Sequence, residues 1–367
     1  MLQLKHHLTI IFDLRGRWMK EPNYRNMLKT LQTPIHHREL IPIFTFLGFS
    51  TIFGTVANGI TFMVIHKMKK TAFNIFIMSL CVSDFLSSIN SSFMTYRSLK
   101  GFDDYRLPLA FCKLGIAVDF WTSISTIQHI LIFSCLRFYC VKFPHRYGNV
   151  TISKSKCLIL TVWAETMLVG FVVYLCWPGF EYIDDSSPVR YKCDMTEIWA
   201  PTMFWYAMVA FPILIYAPMI LIMFVCLAIA IVLIHRKRKL RHIRSVRNDF
   251  RKSEKFALIQ LALIVVSFLL GYSADVSYRV TAIASIQRGK PLLVETEVVF
   301  SLVSHCVLRL SECLNPIFYN FASSELRHAT VNFLNGGCRM TSHTFNRNIG
   351  IQARASRINS ISVSTPL

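Results

Sequence analysis

The sequence predicts an all-α membrane protein, a seven-transmembrane helix bundle with a short amphipathic helix after the seventh span. Three observations carry that expectation. Of the 367 residues, 53% are apolar and 16% charged, whereas soluble domains run nearer a quarter charged. The charges leave seven long stretches almost untouched. Lys and Arg outnumber Asp and Glu by 40 to 20, a net +20, and the basic residues gather between those stretches. In a soluble chain such an excess suggests nucleic acid; confined to the connections between apolar runs it suggests a membrane, so no nucleic-acid partner is expected. A disordered chain is excluded because it would lack the apolar excess.

A hydrocarbon core about 30 Å thick is crossed by about 20 helical residues rising 1.5 Å each. In chain order, Ile41 to Ile65 is uncharged, Phe73 to Tyr96 holds only Asp84, and Leu109 to Leu136 holds Lys113 and Asp119. Cys157 to Pro178 holds only Glu165, while Thr202 to Ile234 and Phe256 to Ala274 hold no charge. The seventh run, Val298 to Phe321, contains Arg309 and Glu312 and is the weakest on hydropathy. Any one run could be a buried core helix, but seven leave too little polar surface for a soluble fold.

With the amino terminus outside, the inner connections carry 23 Lys and Arg and the outer side 9, counting Lys113 at the outer end of the third span, the asymmetry of the positive-inside rule. Residues 1–40 add 7 basic residues on the outer side. Their short apolar stretch, Leu8 to Phe12, is too brief for a signal-peptide core, so the first span is expected to serve as insertion signal. The expected organisation is an extracellular segment at 1–40, a seven-span domain at 41–321, a membrane-surface helix at 322–337 and a disordered cytoplasmic tail at 338–367. In that helix Leu326, Val331, Phe333 and Leu334 supply an apolar face beside basic Arg327 and His328. The tail is rich in Ser and Thr, which suits phosphorylation.

Eleven cysteines are present, most of them within spans, where Cys behaves as a small apolar residue. Cys112 and Cys193 form the clearest pair on the outer, oxidising side, with Cys176 the near competitor. The sequence shows no Walker loop, zinc-ligand spacing or glycine-rich dinucleotide turn, so no enzyme is expected.

Polar groups inside a membrane are costly and therefore functional candidates. Here they make a pattern: Asn58 in the first span, Asp84 in the second, Trp163 in the fourth, and Asn315-Pro316-Ile317-Phe318-Tyr319 closing the seventh. Arg137 lies 25 residues after Cys112. The set resembles the rhodopsin-like (class A) G-protein-coupled receptors, over roughly Leu40 to Leu334. The resemblance implies a plasma-membrane receptor for an extracellular peptide or small-molecule ligand, coupled to a heterotrimeric G protein and to arrestin, and in contact with membrane lipids. It also implies a Cys112–Cys193 disulfide and palmitoylation of Cys338. Asp84, Asn58, Thr126, Ser311, Glu312 and Asn315 would form the interior polar cluster that in the family holds water and a sodium ion. Ile127, Pro218 and Phe268 would form the transmission triad, with Pro218 rather than Pro212 aligned in the fifth span. Arg137, Glu254 and Tyr319 would form the coupling end, Arg137 and Glu254 as a latch.

The chain departs from the family in four places, one of them Cys226, which the alignment of Pro218 leaves where family members usually carry Tyr. The acid before Arg137 is Leu136, Tyr272 stands where the sixth span usually carries Trp, and Ala274 replaces its kinking Pro. These changes keep open a seven-helix receptor without G-protein signalling, a decoy or scaffold. A transporter is the remaining alternative, but seven spans do not divide into two matching repeats.

Counting back from Arg137 places Asp119 where amine receptors of the family hold an ammonium group, so a biogenic-amine receptor is the alternative ligand class. The fifth span offers Ala210, Phe211 and Leu214 instead of serines. Arg309 occupies the position of the retinal-linked Lys of opsins, so no retinal and no other organic cofactor is expected. The candidate pocket comprises Asp119, Ser123, Tyr272, Asp275, Arg279, His305 and Arg309, with Arg97 near the rim. Charges of both signs favour a peptide. Asp119 and Arg309 are expected to face and neutralise each other, to be parted by a ligand bearing both charges.

Overall fold

The computed structural model describes residues 37–100, 105–143, 146, 150–184, 190–196, 198–240, 248–287 and 294–336. The segment before residue 37, the tail with Cys338, and the side chains of Glu254 and Arg279 lie outside the described residues. Helix α1 (His37–Lys67) is followed by α2 (Ala72–Lys100) and α3 (Leu109–Lys142). The fourth span is α4 (Ile152–Thr166), a π-helical segment (Met167–Val172) and α5 (Val173–Cys176). After strands β1 (Pro178–Asp184) and β2 (Arg190–Met195), the fifth span is α6 (Ala200–Phe211), a second π-helical segment (Pro212–Tyr216) and α7 (Ala217–Leu240). The sixth span lies in α8 (Asn248–Gln287), the seventh in α9 (Val294–Ala322), and α10 (Ser324–Leu334) follows.

Among the described residues, six of the spans are long and apolar enough to cross a membrane. Helix α9, at 29 residues, has the length, but His305, Arg309, Glu312 and Asn315 lower its hydropathy. The packing is inside-out relative to a soluble protein. Ile52 and Leu160 are 68% exposed, whereas Asn58, Ser83 and Asp84 are fully buried. That is the arrangement a bundle adopts when lipid solvates its exterior and its polar groups must find partners within.

Helices α1, α2 and α3 pack in sequence, α3 also packs on α7, and α9 closes the ring against α8 and α1. Small residues set some of these approaches. A Cβ on Gly170 would meet the Trp121 Cα at 3.0 Å, and one on Gly271 would meet the Ser311 Oγ at 2.6 Å. The wide turn in the fifth span has a chemical cause. Pro218 has no N–H to offer the Leu214 carbonyl, and just before it the Ala217 N–H reaches back five residues to Pro212 O, the π-helical register.

One short β-hairpin accompanies the helical bundle. Strands β1 and β2 pair antiparallel, with Phe180 opposite Cys193 and Tyr182 opposite Tyr191. Alternation in Phe180-Glu181-Tyr182-Ile183 is a strand signal too short to stand out beside seven long apolar runs. The hairpin lies against α3, where the Cys112–Cys193 disulfide fastens it. Tyr105, Ile116, Tyr174, Trp177 and Met203 pack around that bond. At the other end Ser323 caps α10 by accepting from the Leu326 N–H at 3.2 Å, and α10 buries Leu326 and Ala329 against α1 and α9.

Candidate functional site

His305, Arg309 and Glu312 follow one another at i+4 and i+3, which puts them on one face of α9. That face points into the bundle, where Arg309 and Glu312 are each 2% exposed. Arg309 Nη2 donates to Asp119 Oδ1 at 2.6 Å, joining the seventh span to the third. Arg309 Nη1 donates to Glu312 Oε2 at 2.8 Å and to Ser87 Oγ on the second span. Ser87 in turn donates to Glu312 Oε2 at 2.9 Å, and Arg309 Nε reaches His305 Nε2 at 3.4 Å. One guanidinium therefore serves two carboxyl groups. Asp119 is the open member at 21% exposure, and Glu312 is sealed.

This geometry adds partners to the expected polar cluster. Glu312 is bonded to Arg309, one turn away on the same helix, and to Ser87, while its charge also acts on Asp84. Asp84 receives Asn315 Nδ2 at 2.8 Å and Thr126 Oγ1 at 3.5 Å, and Thr126 lies 2.9 Å from Ser83 Oγ. Ser311 donates to Leu308 O at 2.7 Å and Asn58 Nδ2 to Gly54 O at 3.0 Å, so each spends its donor on its own helix. Asn58 Oδ1 and Glu312 Oε1 are buried and make no hydrogen bond among the described residues.

Tyr272 is 3% exposed and donates to the Ser123 carbonyl at 3.1 Å, tying the sixth span to the third directly below Asp119. Its ring lies 4.6 Å from that of Phe268. Phe268 and Ile127 share the main apolar core, and Pro218 is buried. Asp275 is buried at 7% exposure, while His305 is half-buried. At the opposite end Arg137 lies with its guanidinium carbon 3.7 Å from the Phe73 ring centroid and 5.2 Å from that of Phe133. Tyr319 is fully buried.

Three elements of this interior were not singled out from the sequence. Ser87 lies one turn beyond Asp84 on the same face of α2, and that spacing was the available signal. His129 and Ser79 complete a chain with Trp163. Trp163 Nε1 donates to Ser79 Oγ at 2.8 Å, Ser79 Oγ lies 2.8 Å from His129 Nε2, and His129 Nδ1 lies 2.7 Å from Ser125 O. Because a carbonyl only accepts, Nδ1 carries the proton and Nε2 accepts from Ser79, a tautomer assigned from the network. Phe73 and Phe133 gave no signal beyond being apolar. Among the described residues no group of His, Cys, Asp and Glu could hold a metal ion.

A helical ring with charged and polar side chains turned inward defines a multi-span membrane protein. Residues 58–319 match the family described as 7 transmembrane receptor (rhodopsin family), and the chain belongs to that family. Its members are receptors rather than enzymes, and the seventh span, weak on hydropathy, is part of the matched region. Among curated proteins the chain is similar to growth hormone secretagogue receptor type 1 of Sus scrofa, 25% identical over 296 residues, covering 77% of this chain and 78% of that protein. It is also similar to trace amine-associated receptor 2 of Homo sapiens, 27% identical over 233 residues, covering 60% and 62% respectively. A third relative is the D(1B) dopamine receptor of Xenopus laevis, 29% identical over 152 residues, covering 40% and 33%.

Proposed function

We propose that this chain is a plasma-membrane receptor, amino terminus outside, that binds an extracellular peptide beneath the hairpin and activates a heterotrimeric G protein at its opposite end. The observation that carries the ligand reading is the Asp119–Arg309–Glu312 triad. Its half-open acid lies about two turns along α3 from Cys112, where the hairpin is fastened, and Arg97, Asp275 and His305 add further ionisable groups toward that end. A surface with both signs of charge suits a peptide, and the relatives named for growth hormone secretagogue span more of the chain than those named for amines.

Glu312 alters which ligand charges are needed. With Asp119 as its sole partner, Arg309 would be stranded by an incoming cation, and only a zwitterion could replace both halves. Glu312 and Ser87 hold Arg309 when Asp119 is taken, so a cationic group alone suffices. That favours a second reading, an amine ligand at Asp119. Asp84, Thr126 and Asn58 Oδ1 offer oxygen donors of the kind a hard cation prefers, which supports a sodium ion in this layer. Guanine-nucleotide exchange on a panel of heterotrimers, driven by separate peptide and amine libraries, tests both readings. Ligand binding without exchange on any heterotrimer supports a decoy or scaffold instead.

A further inference from the structure

The start of the second span is held by three local contacts. Thr71 Oγ1 accepts from the Asn74 N–H at 3.1 Å, Asn74 Nδ2 donates to Lys69 O at 3.0 Å, and Lys70 Nζ donates to His66 O at 2.6 Å. These satisfy helix-end groups of α1 and α2 that would otherwise lack partners. They also fix Phe73, the second residue of α2, against the third span. There the Phe73 ring meets Phe133 edge-on, with centroids 5.8 Å apart and planes 79° apart, an arrangement aromatic pairs favour. Arg137, four residues beyond Phe133 on the same face of α3, lays its guanidinium against both rings at 3.7 and 5.2 Å. Both distances are inside the range over which a ring quadrupole attracts a cation.

We infer that Phe73 and Phe133 are positioning residues that hold Arg137 against the second span through its guanidinium face. The contact is stronger where water is excluded, and Phe133 is 3% exposed. The clamp draws Arg137 toward α2, which on this inference is the resting orientation. Its effect on signalling rests on the G-protein reading above; the contact itself does not.

The test uses the full-length receptor with Phe73 replaced by phenylalanines of increasing fluorination, which drain charge from the ring face and nearly keep its shape. Each is made in the wild type and in Arg137→Gln. Thermal midpoint and basal nucleotide exchange are read in parallel. In the wild-type background the midpoint is expected to fall stepwise and basal exchange to rise, over an about two- to thirty-fold range in the underlying equilibrium. In Arg137→Gln both series are expected to be flat, and Phe73→Tyr is expected to behave as wild type where Phe73→Leu does not. A flat midpoint series in the wild type, or equal slopes in the two backgrounds, overturns the clamp. A graded midpoint with no exchange in any protein supports the clamp and tells against the G-protein reading.

Discussion

Arg309 and Glu312 are joined at 2.8 Å within one turn of α9, so the guanidinium that reaches Asp119 is anchored a second time in the sealed interior. The pocket is therefore asymmetric: its acid can be given up and its base cannot.

Substitution should expose that asymmetry. Arg309→Met leaves two carboxyl groups without a cation, and stranding a buried charge costs about 3 to 5 kcal/mol. Asp119→Asn leaves Arg309 with Glu312 and Ser87, a loss nearer about 1 to 3 kcal/mol. Thermal midpoints of the purified variants check the order; equal losses would show that Glu312 contributes nothing. The charge swap Asp119→Arg with Arg309→Asp puts an acid beside Glu312, so it is expected to recover expression only when Glu312→Gln is added.

Ser79 joins Trp163 to His129 across three spans. Ser79→Ala strands two buried polar groups at once, each worth about 1 to 3 kcal/mol. His129→Leu leaves the Trp163–Ser79 bond in place and should cost less. A stability ranking in the opposite order would mean the network is not read correctly.

The Cys112–Cys193 bond closes a sequence separation of 81 residues and fastens the hairpin to α3. Removing such a bond typically costs about 2 to 5 kcal/mol. Cys112→Ser and Cys193→Ser should lower the thermal midpoint equally, and the double variant no further. Mass spectrometry of the native protein should find both thiols blocked; free thiols at both positions would contradict the bond.

The sequence made the bundle legible because seven apolar runs are a long-range signal, and Asp84, Trp163 and Asn315-Pro316 sit at recognisable places in them. It even placed Asp119 opposite Arg309. The bond from Arg309 to Glu312 was missed because attention went to the other acid, Asp84, although the i+3 spacing to Arg309 carried the signal. The donors of Ser311 and Asn58 were expected to turn to Asp84, but a buried side chain can donate to a carbonyl one turn back, as both do. The hairpin escaped because two short strands carry little periodicity. Phe73 could not be read at all, since nothing in a linear sequence says which ring will lie under Arg137.

The central claim is that a ligand's cationic group takes Asp119 from Arg309 and that the receptor then drives a G protein. The direct measurement is nucleotide exchange by reconstituted full-length receptor, wild type against Asp119→Asn, across a panel of heterotrimers with cationic peptides and amines. The account expects a cationic agonist to raise exchange on at least one heterotrimer, and Asp119→Asn, at matched folded protein, to weaken its potency by at least about tenfold. An agonist equally potent on both proteins, or a response restricted to ligands without a positive charge, would contradict it.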